Sequence, residues 1–265
     1  MTKVLLTGAS GRLGTHLRHW FKDHDRPYLA TDILPPQDGE AIVAADLSDR
    51  AAMDALMAGK DISAIVHFGG MAKENKWETV LEANIVGTYN VFEAARKAGV
   101  TRIIYASTYH VQGMYPSDEA PIPLEAPYRP DSLYAVSKMF GEGLSRLYYD
   151  KFGIECLAIR ICTAGNPGTN REARLWFNRD DMARMVDHAL DIPVLGHRTL
   201  FGISNSENAF FYNEPDPGWD FRPQHSAREL QPLDPHAPLD AGDARNRLVG
   251  GAFSTWGHQD DAPDG

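Results

Sequence analysis

A doubly wound parallel sheet, in the α/β class, follows from three features of this sequence. Short apolar runs alternate with helical patterns over roughly the first 160 residues, the arrangement that sets parallel strands side by side with helices on both faces. The first run enters a loop in which Gly8, Gly11 and Gly14 are spaced three apart. The second run ends in an acid, Asp32, 18 residues after Gly14.

The elements can be justified in order. Lys3-Val-Leu-Leu-Thr reads as a buried strand, and Leu13, Leu17, Trp20 and Phe21 recur at helical spacing after the glycines. Strand two runs from Tyr28 to Ile33 and strand three from Ala41 to Leu47, followed by a helix from Arg50 to Ala58. Strand four, Ala64 to Gly70, ends on a glycine pair, and a long helix spans Trp77 to Ala98. Strand five is Arg102 to Thr108; a helix from Ser132 to Phe152 and strand six, Glu155 to Ile161, come next. Beyond Ile161, loops rich in Gly, Pro and Asn surround one helix, Asp180 to Leu190, and a short strand, Thr199 to Phe201. Asp180 and Asp181 are expected to cap that helix. Prolines and acids dominate from Glu214.

A strand, a glycine loop and a helix in succession form a site for a dinucleotide. Gly8 permits the tight turn, Gly11 lets a pyrophosphate approach the backbone, and Gly14 lets helix and strand pack closely. The helix N-terminus offers free N–H groups and a partial positive charge to the phosphates. At Asp32 a carboxylate can accept from both hydroxyls of the adenosine ribose and would repel a 2′-phosphate, and no Arg or Lys lies between Ile33 and Glu40 to hold one. NAD is therefore the expected cofactor. Its site lies at the carboxyl ends of the strands, where Gly69, Gly70, Thr108 and Cys162 fall. The expected organisation is an NAD-binding Rossmann domain over 1–162, a smaller substrate-binding region over 163–256, and a disordered tail over 257–265.

Tyr134 and Lys138 share one face of the helix from Ser132 to Phe152. Alone, the pair reads as a surface couple. At the mouth of a dinucleotide site it reads as a base, because an ammonium beside the phenol favours the phenolate.

Composition narrows the rest. The chain has 265 residues and a net charge of −10, with pI near 5.4, which disfavours nucleic acid and anionic membrane surfaces as partners. No apolar run approaches a membrane span, and the first strand begins too soon after Met1 to leave room for a signal peptide, so a cytoplasmic location is expected. Cys156 sits in an apolar strand and reads as a buried thiol. No His, Cys or carboxylate cluster has metal-ligand spacing.

Taken together, these residues resemble the extended short-chain dehydrogenase/reductase superfamily over residues 1–162. The glycine triplet, Asp32, Asp46-Leu47, Asn84, Thr108 and Tyr134/Lys138 come in that family's order and spacing. The resemblance implies that Ser10, Arg12 and Leu13 contact the cofactor from the glycine loop, with Asp46 and Leu47 at the adenine. Phe68, Gly69, Gly70, Tyr134, Lys138 and Cys162 would lie along the rest of it. Asn84 has two readings, a cofactor-site residue or a polar group satisfied by helix backbone. Thr108 takes the catalytic serine/threonine position, where its hydroxyl can hydrogen-bond the reacting oxygen.

Within that superfamily the chain is most similar to the uronate dehydrogenases, which oxidise the C1 hydroxyl of hexuronic acids to aldarolactones. The likeness rests on Val66-His-Phe-Gly-Gly70, Arg129-Pro-Asp-Ser-Leu-Tyr134, Lys138-Met-Phe-Gly-Glu142, Arg171 five residues before Trp176-Phe177, Pro193-Val-Leu-Gly196 and Gly250-Gly251. It implies a sugar-acid substrate, contacts from Ala72, Thr108, Tyr109, His110, Tyr134, Thr163 and Arg171, and a homo-oligomer. Arg171 would grip the substrate carboxylate through a two-pronged hydrogen bond, although Arg174 stands nearby in the same loop. Ala72 and Tyr109 depart from the family, which has serine and asparagine there. A neutral-sugar aldose 1-dehydrogenase is the alternative those departures suggest, with a nucleotide-sugar epimerase or dehydratase and a non-catalytic dinucleotide sensor further off.

Overall fold

The computed structural model describes residues 2–257. Its first half runs β1 (Lys3–Thr7), α1 (Arg12–Asp23), β2 (Tyr28–Asp32), β3 (Val43–Ala44), α2 (Arg50–Met57), β4 (Ile62–His67), α3 (Trp77–Val80) and α4 (Gly87–Ala98). Then come β5 (Arg102–Thr108), β6 (Ile122–Pro123), α5 (Leu133–Phe152), β7 (Glu155–Ile161), α6 (Asn170–Ala173), α7 (Arg179–Asp191), β8 (His197–Gly202) and β9 (Phe211–Tyr212). Seven strands form one sheet in the order β3-β2-β1-β4-β5-β7-β8, and every pairing in it is parallel. The order reverses between β1 and β4, so the loops leaving those strands part and open a crevice at their carboxyl ends.

Alternating side chains of each strand feed opposite faces. Leu6, Val66, Ile104 and Leu157 pack against Leu17 and Phe21 of α1 and Met182 and Val186 of α7. Leu5, Ile65, Ile103 and Ala158 pack against Met53 of α2, Phe92 of α4, and Leu144 and Tyr148 of α5. Burial of both faces explains why the strands read as unbroken apolar runs.

Several expectations shift. Strand three shrinks from Ala41–Leu47 to Val43 and Ala44, because it is an edge strand that pairs with only two residues of β2. Asp46 ends it by accepting the amide of Ser48 at 2.8 Å. Strand four stops at His67, and Phe68 to Gly70 leave the sheet as a loop. The helix over 77–98 forms but widens into a π turn at Leu81–Val86. Asp180 and Asp181 do not cap α7. Asn178 does, accepting the Asp180 amide at 2.7 Å, while fully buried Asp181 accepts from Ser204, Gln224 and His225.

The sheet also continues past residue 162: β8 is hydrogen-bonded to β7 along its length, and α7 packs beside α1. Two features passed unread, the single turn α6 and the small parallel pair β6–β9. The tail expected to be disordered lies, from residue 258, outside the described residues. Cys156 and Cys162 are free and buried. Among the described residues no helix is long and apolar enough to cross a membrane.

The seat of α5 matters most for function. Glu142 on its inner face accepts both Nε and Nη2 of Arg160 from β7, at 3.0 and 2.9 Å, together with the hydroxyls of Ser107 and Tyr128. A buried ion pair with all its acceptors filled fixes orientation more than it adds stability. Gly141 allows the approach, since a Cβ there would stand 2.1 Å from the Tyr105 hydroxyl.

Candidate active site

A cavity of about 970 Å³ crosses the carboxyl edge of the sheet from Asp32 to Tyr134, at the upper end of the range for small-molecule sites. Gly8, Ser10, Gly11, Arg12, Leu13 and Gly14 form its floor, and Asp46, Leu47, Phe68, Gly69 and Gly70 its walls. Two of the three glycines answer to the fold. Gly8 holds φ at +72°, with Phe68 backbone 2.5 Å from where a Cβ would sit, and a Cβ on Gly14 would lie 2.0 Å from the Gly8 carbonyl oxygen. Gly11 differs. Its φ is −68°, an added Cβ would meet only the Gly8 carbonyl oxygen, at a tight 3.3 Å, and the residue lines the cavity. No side chain caps the first amides of α1, which leaves them free for an anion. At the far rim Asp32 accepts the amides of Ser10 at 2.9 Å and Leu34 at 3.3 Å. The loop, the uncapped helix and the rim carboxylate fit a dinucleotide.

At the other end Thr108, Tyr134 and Lys138 converge, each less than a tenth exposed. Burial pushes the Tyr134 phenol up to about 12, opposed chiefly by the Thr108 hydroxyl beside it. Burial also brings the Lys138 ammonium down to about 8. Its nitrogen lies 5.9 Å from the Tyr134 ring and 5.2 Å from the Tyr105 ring. The chain alone therefore does not make the phenol acidic.

Asn84 does not line the cavity. It is 1 % exposed, accepts the Met71 amide at 2.7 Å, and donates to the Met71 carbonyl and to Ser137 of α5. It braces the loop after β4 against the helix that carries Tyr134. Glu74, a residue the sequence did not flag, adds to the brace by accepting the amides of Leu133 and Tyr134. Beneath the loop, Thr7 accepts the Gly69 amide at 3.1 Å and shares a hydrogen bond with Nδ1 of His67 at 2.8 Å. Full burial holds that imidazole neutral, at about 3.

Ala72, Tyr109, His110, Cys162 and Thr163 line the remaining wall together with Phe253, whose ring centroid is 4.1 Å from that of His110. Nδ1 of His110 donates to the buried carboxylate of Asp131 at 2.6 Å. Arg171 stands behind this wall. Its Nη2 donates to the carbonyls of Leu248 and Val249, the first at 3.1 Å, and the guanidinium packs 5.3 Å from the Phe210 ring. Nε is buried without a partner. Arg171 forms no ion pair with a carboxylate among the described residues, and burial lowers its pKa. Arg174 lies over the same ring at 5.6 Å and donates to the Ala237 carbonyl. Phe253 carries no motif of its own, and Asp131, though it falls in the Arg129–Tyr134 segment, is revealed as the partner of His110 only in three dimensions.

Residues 4–199 match the family model described as the NAD dependent epimerase/dehydratase family. A uronate dehydrogenase of Pseudomonas putida is 37 % identical over 261 residues, covering 96 % of each chain. One of Agrobacterium fabrum is 37 % identical, covering 96 % of this chain and 97 % of its own. Among solved structures, a glucuronic acid dehydrogenase of Chromohalobacter salexigens superposes with a TM-score of 0.88 at 37 % identity, over 98 % of this chain and 99 % of its own. A mutant uronate dehydrogenase of Agrobacterium tumefaciens complexed with NAD gives 0.84 at 35 %, over 97 % and 98 %.

Proposed function

We propose, from the premise that this chain belongs to the NAD dependent epimerase/dehydratase family and within it to the uronate dehydrogenases, that it oxidises the C1 hydroxyl of a cyclic hexuronic acid such as glucuronate or galacturonate to an aldarolactone with NAD⁺. One observation carries the reading. Thr108, Tyr134 and Lys138 converge at the end of a dinucleotide-sized cavity, and behind the wall there stands Arg171, whose half-buried guanidinium has no carboxylate partner among the described residues.

Gly8 to Gly14 would hold the pyrophosphate, Asp32 the adenosine ribose and Lys138 the other ribose. Bound there, NAD⁺ supplies the acceptor for the C1 hydride and a positive charge near Tyr134. Thr108 hydrogen-bonds the C1 oxygen and Tyr134, as phenolate, takes its proton while the C1–H electron pair leaves, so that C1 and its oxygen become the lactone carbonyl. Orientation supplies much of the remaining acceleration. On the substrate side His110 and Thr163 offer polar contacts, and Arg171 would take the carboxylate. A guanidinium left half-satisfied in a half-buried place is poorly placed for stability and well placed for an anion.

The test is a panel of uronates and neutral aldoses followed by NADH absorbance. Glucuronate or galacturonate should be oxidised at least tenfold more efficiently, as kcat/KM, than glucose or galactose. Equal rates on neutral sugars would replace this reading with an aldose 1-dehydrogenase whose pocket is set by Ala72 and Tyr109.

A further inference from the structure

We propose that Arg18 is a positioning residue for the cofactor, tying the glycine loop to the segment that forms the adenosine rim and so setting the affinity for NAD. This rests on NAD as the cofactor and not on which sugar is oxidised. Arg18 stands on α1 outside the cavity lining, and it is fully buried. Its Nε donates to the Ala9 carbonyl, in the glycine loop, at 2.8 Å. Nη2 donates to Asp38 at 2.8 Å and Nη1 to Glu40. Both carboxylates belong to the segment 33–42 that joins β2 to β3, and Ile33, Leu34, Pro35 and Gln37 of that segment line the cavity beside Asp32. One guanidinium thus links the two stretches of backbone that frame the adenosine end.

Apolar packing does little to hold that rim. Residues 33–39 are exposed apart from Pro36, with Ile33 at 63 % and Leu34 at 66 %. The anchors are polar instead, and most come from one face of α1, where Thr15, Arg18, His19 and Lys22 recur at helical spacing. His19 meets Asp38 at 3.1 Å, Lys22 meets Glu40 at 2.9 Å, and Thr15 accepts from Arg18 at 3.3 Å. Tyr28 donates to Glu40 at 2.7 Å, and the Ser10 hydroxyl to the Leu34 carbonyl at 2.6 Å. The side chains of His19 and Lys22 are exposed, whereas that of Arg18 is sealed from water, where an ion pair is screened least. Its guanidinium holds the Asp38 carboxyl down to about 2. Such a buried pairing fixes orientation more than it adds stability. The same helix leaves its first amides uncapped for the pyrophosphate, so one rigid element sets the spacing between the phosphate seat and the adenosine rim. A rim already in place spares the cofactor the loss of entropy in ordering it.

Arg18→Met, Arg18→Lys and Asp38→Ala in the full chain test this. Dissociation constants for NAD and for ADP-ribose would be measured by titration calorimetry, kcat and uronate KM at saturating NAD, and folding by thermal melting. Methionine should weaken NAD and ADP-ribose by the same factor, roughly tenfold, with kcat and uronate KM within about twofold of the parent. Lysine keeps the charge but not the fork that reaches three partners, and should fall between. Asp38→Ala, at the partly exposed end of the tie, should weaken both ligands about threefold. Unmoved affinities in a folded methionine variant overturn the proposal, and so does an equal loss in NAD affinity, kcat and uronate KM, the mark of general damage. If methionine fails to fold, Asp38→Ala is judged by the same two criteria. A parent that binds neither ligand brings down the cofactor assignment and this proposal together. A parent that binds NAD but oxidises no uronate brings down the substrate reading alone, and the affinities still decide the role of Arg18.

Discussion

The Lys138 ammonium lies 5.9 Å from the ring of Tyr134, one helical turn before it, and burial is the only influence on its pKa, which falls to about 8. Tyr134 is shifted the other way, up to about 12. In the protein by itself burial disfavours the charged form of each group, and both are needed charged for the proposed chemistry. The sequence argument that lysine acidifies the tyrosine is thus incomplete, since spacing sets neighbourhood while burial sets the sign of the shift.

Lys138 should consequently weaken the cofactor-free fold. The folded protein releases this proton near pH 8 and the unfolded chain near 10.5. Between those values the unfolded state holds more protons and stability rises with pH; at pH 7 the whole penalty, about 3 kcal/mol, is present. Lys138→Met should therefore raise the melting temperature at pH 7 by roughly 5 °C without NAD, while turnover drops on the order of 10²-fold. Calorimetry decides: an unchanged or lower melting temperature means the ammonium is not penalised as described.

Tyr134→Phe should lower turnover on the order of 10²-fold or more and leave NAD affinity nearly unchanged. Because the acting form is the phenolate and burial holds its pKa near 12, kcat/KM for the parent should climb as pH rises from neutral into the alkaline range. That climb should vanish in the phenylalanine variant. A flat profile in the parent, or turnover within a few-fold after the substitution, removes Tyr134 as the base.

The cofactor half was legible because its chemistry is local in sequence. Gly8 and Gly14 are dictated by backbone contacts with segments next to them in the fold, and Asp32 ends the very strand that pairs with β1. The substrate half was not, because long-range contacts build it. Asp131 is tied to Gly113 and Gly250, Arg171 to Leu248, and Phe253 to His110. No periodicity links residues so far apart. The short edge strand β3 and the π turn at Leu81–Val86 escaped for a related reason, since tertiary pairing and a buried asparagine decide them rather than propensity.

Cofactor choice gives a third prediction. With its carboxylate fixed at the rim by the amides of Ser10 and Leu34, Asp32 should make the enzyme favour NAD over NADP by at least tenfold in kcat/KM. Asp32→Ser should narrow that ratio mainly by improving NADP. Equal use of the two cofactors by the parent would place the ribose elsewhere.

Arg171 supplies the last and the sharpest test of substrate class. Its guanidinium is half-buried, 5.3 Å from the Phe210 ring centroid and tied to two backbone carbonyls by Nη2, with Nε left without a partner. If the substrate carboxylate completes that set, Arg171→Ala should raise KM for glucuronate or galacturonate and lower kcat/KM by about a hundredfold or more, a few kcal/mol of transition-state binding. Lysine should not restore it, because a point charge cannot reproduce the planar fork. Loss of the tie to Leu248 and Val249 also loosens the segment that carries Phe253, so activity on every sugar would fall somewhat. The discriminating quantity is therefore the ratio of uronate to neutral-sugar kcat/KM. It should collapse in the alanine variant if Arg171 reads the carboxylate, and hold constant if Arg171 only anchors the segment. A constant ratio would turn attention to Tyr109, at the cavity wall between that guanidinium's neighbourhood and His110, as the group that meets the substrate.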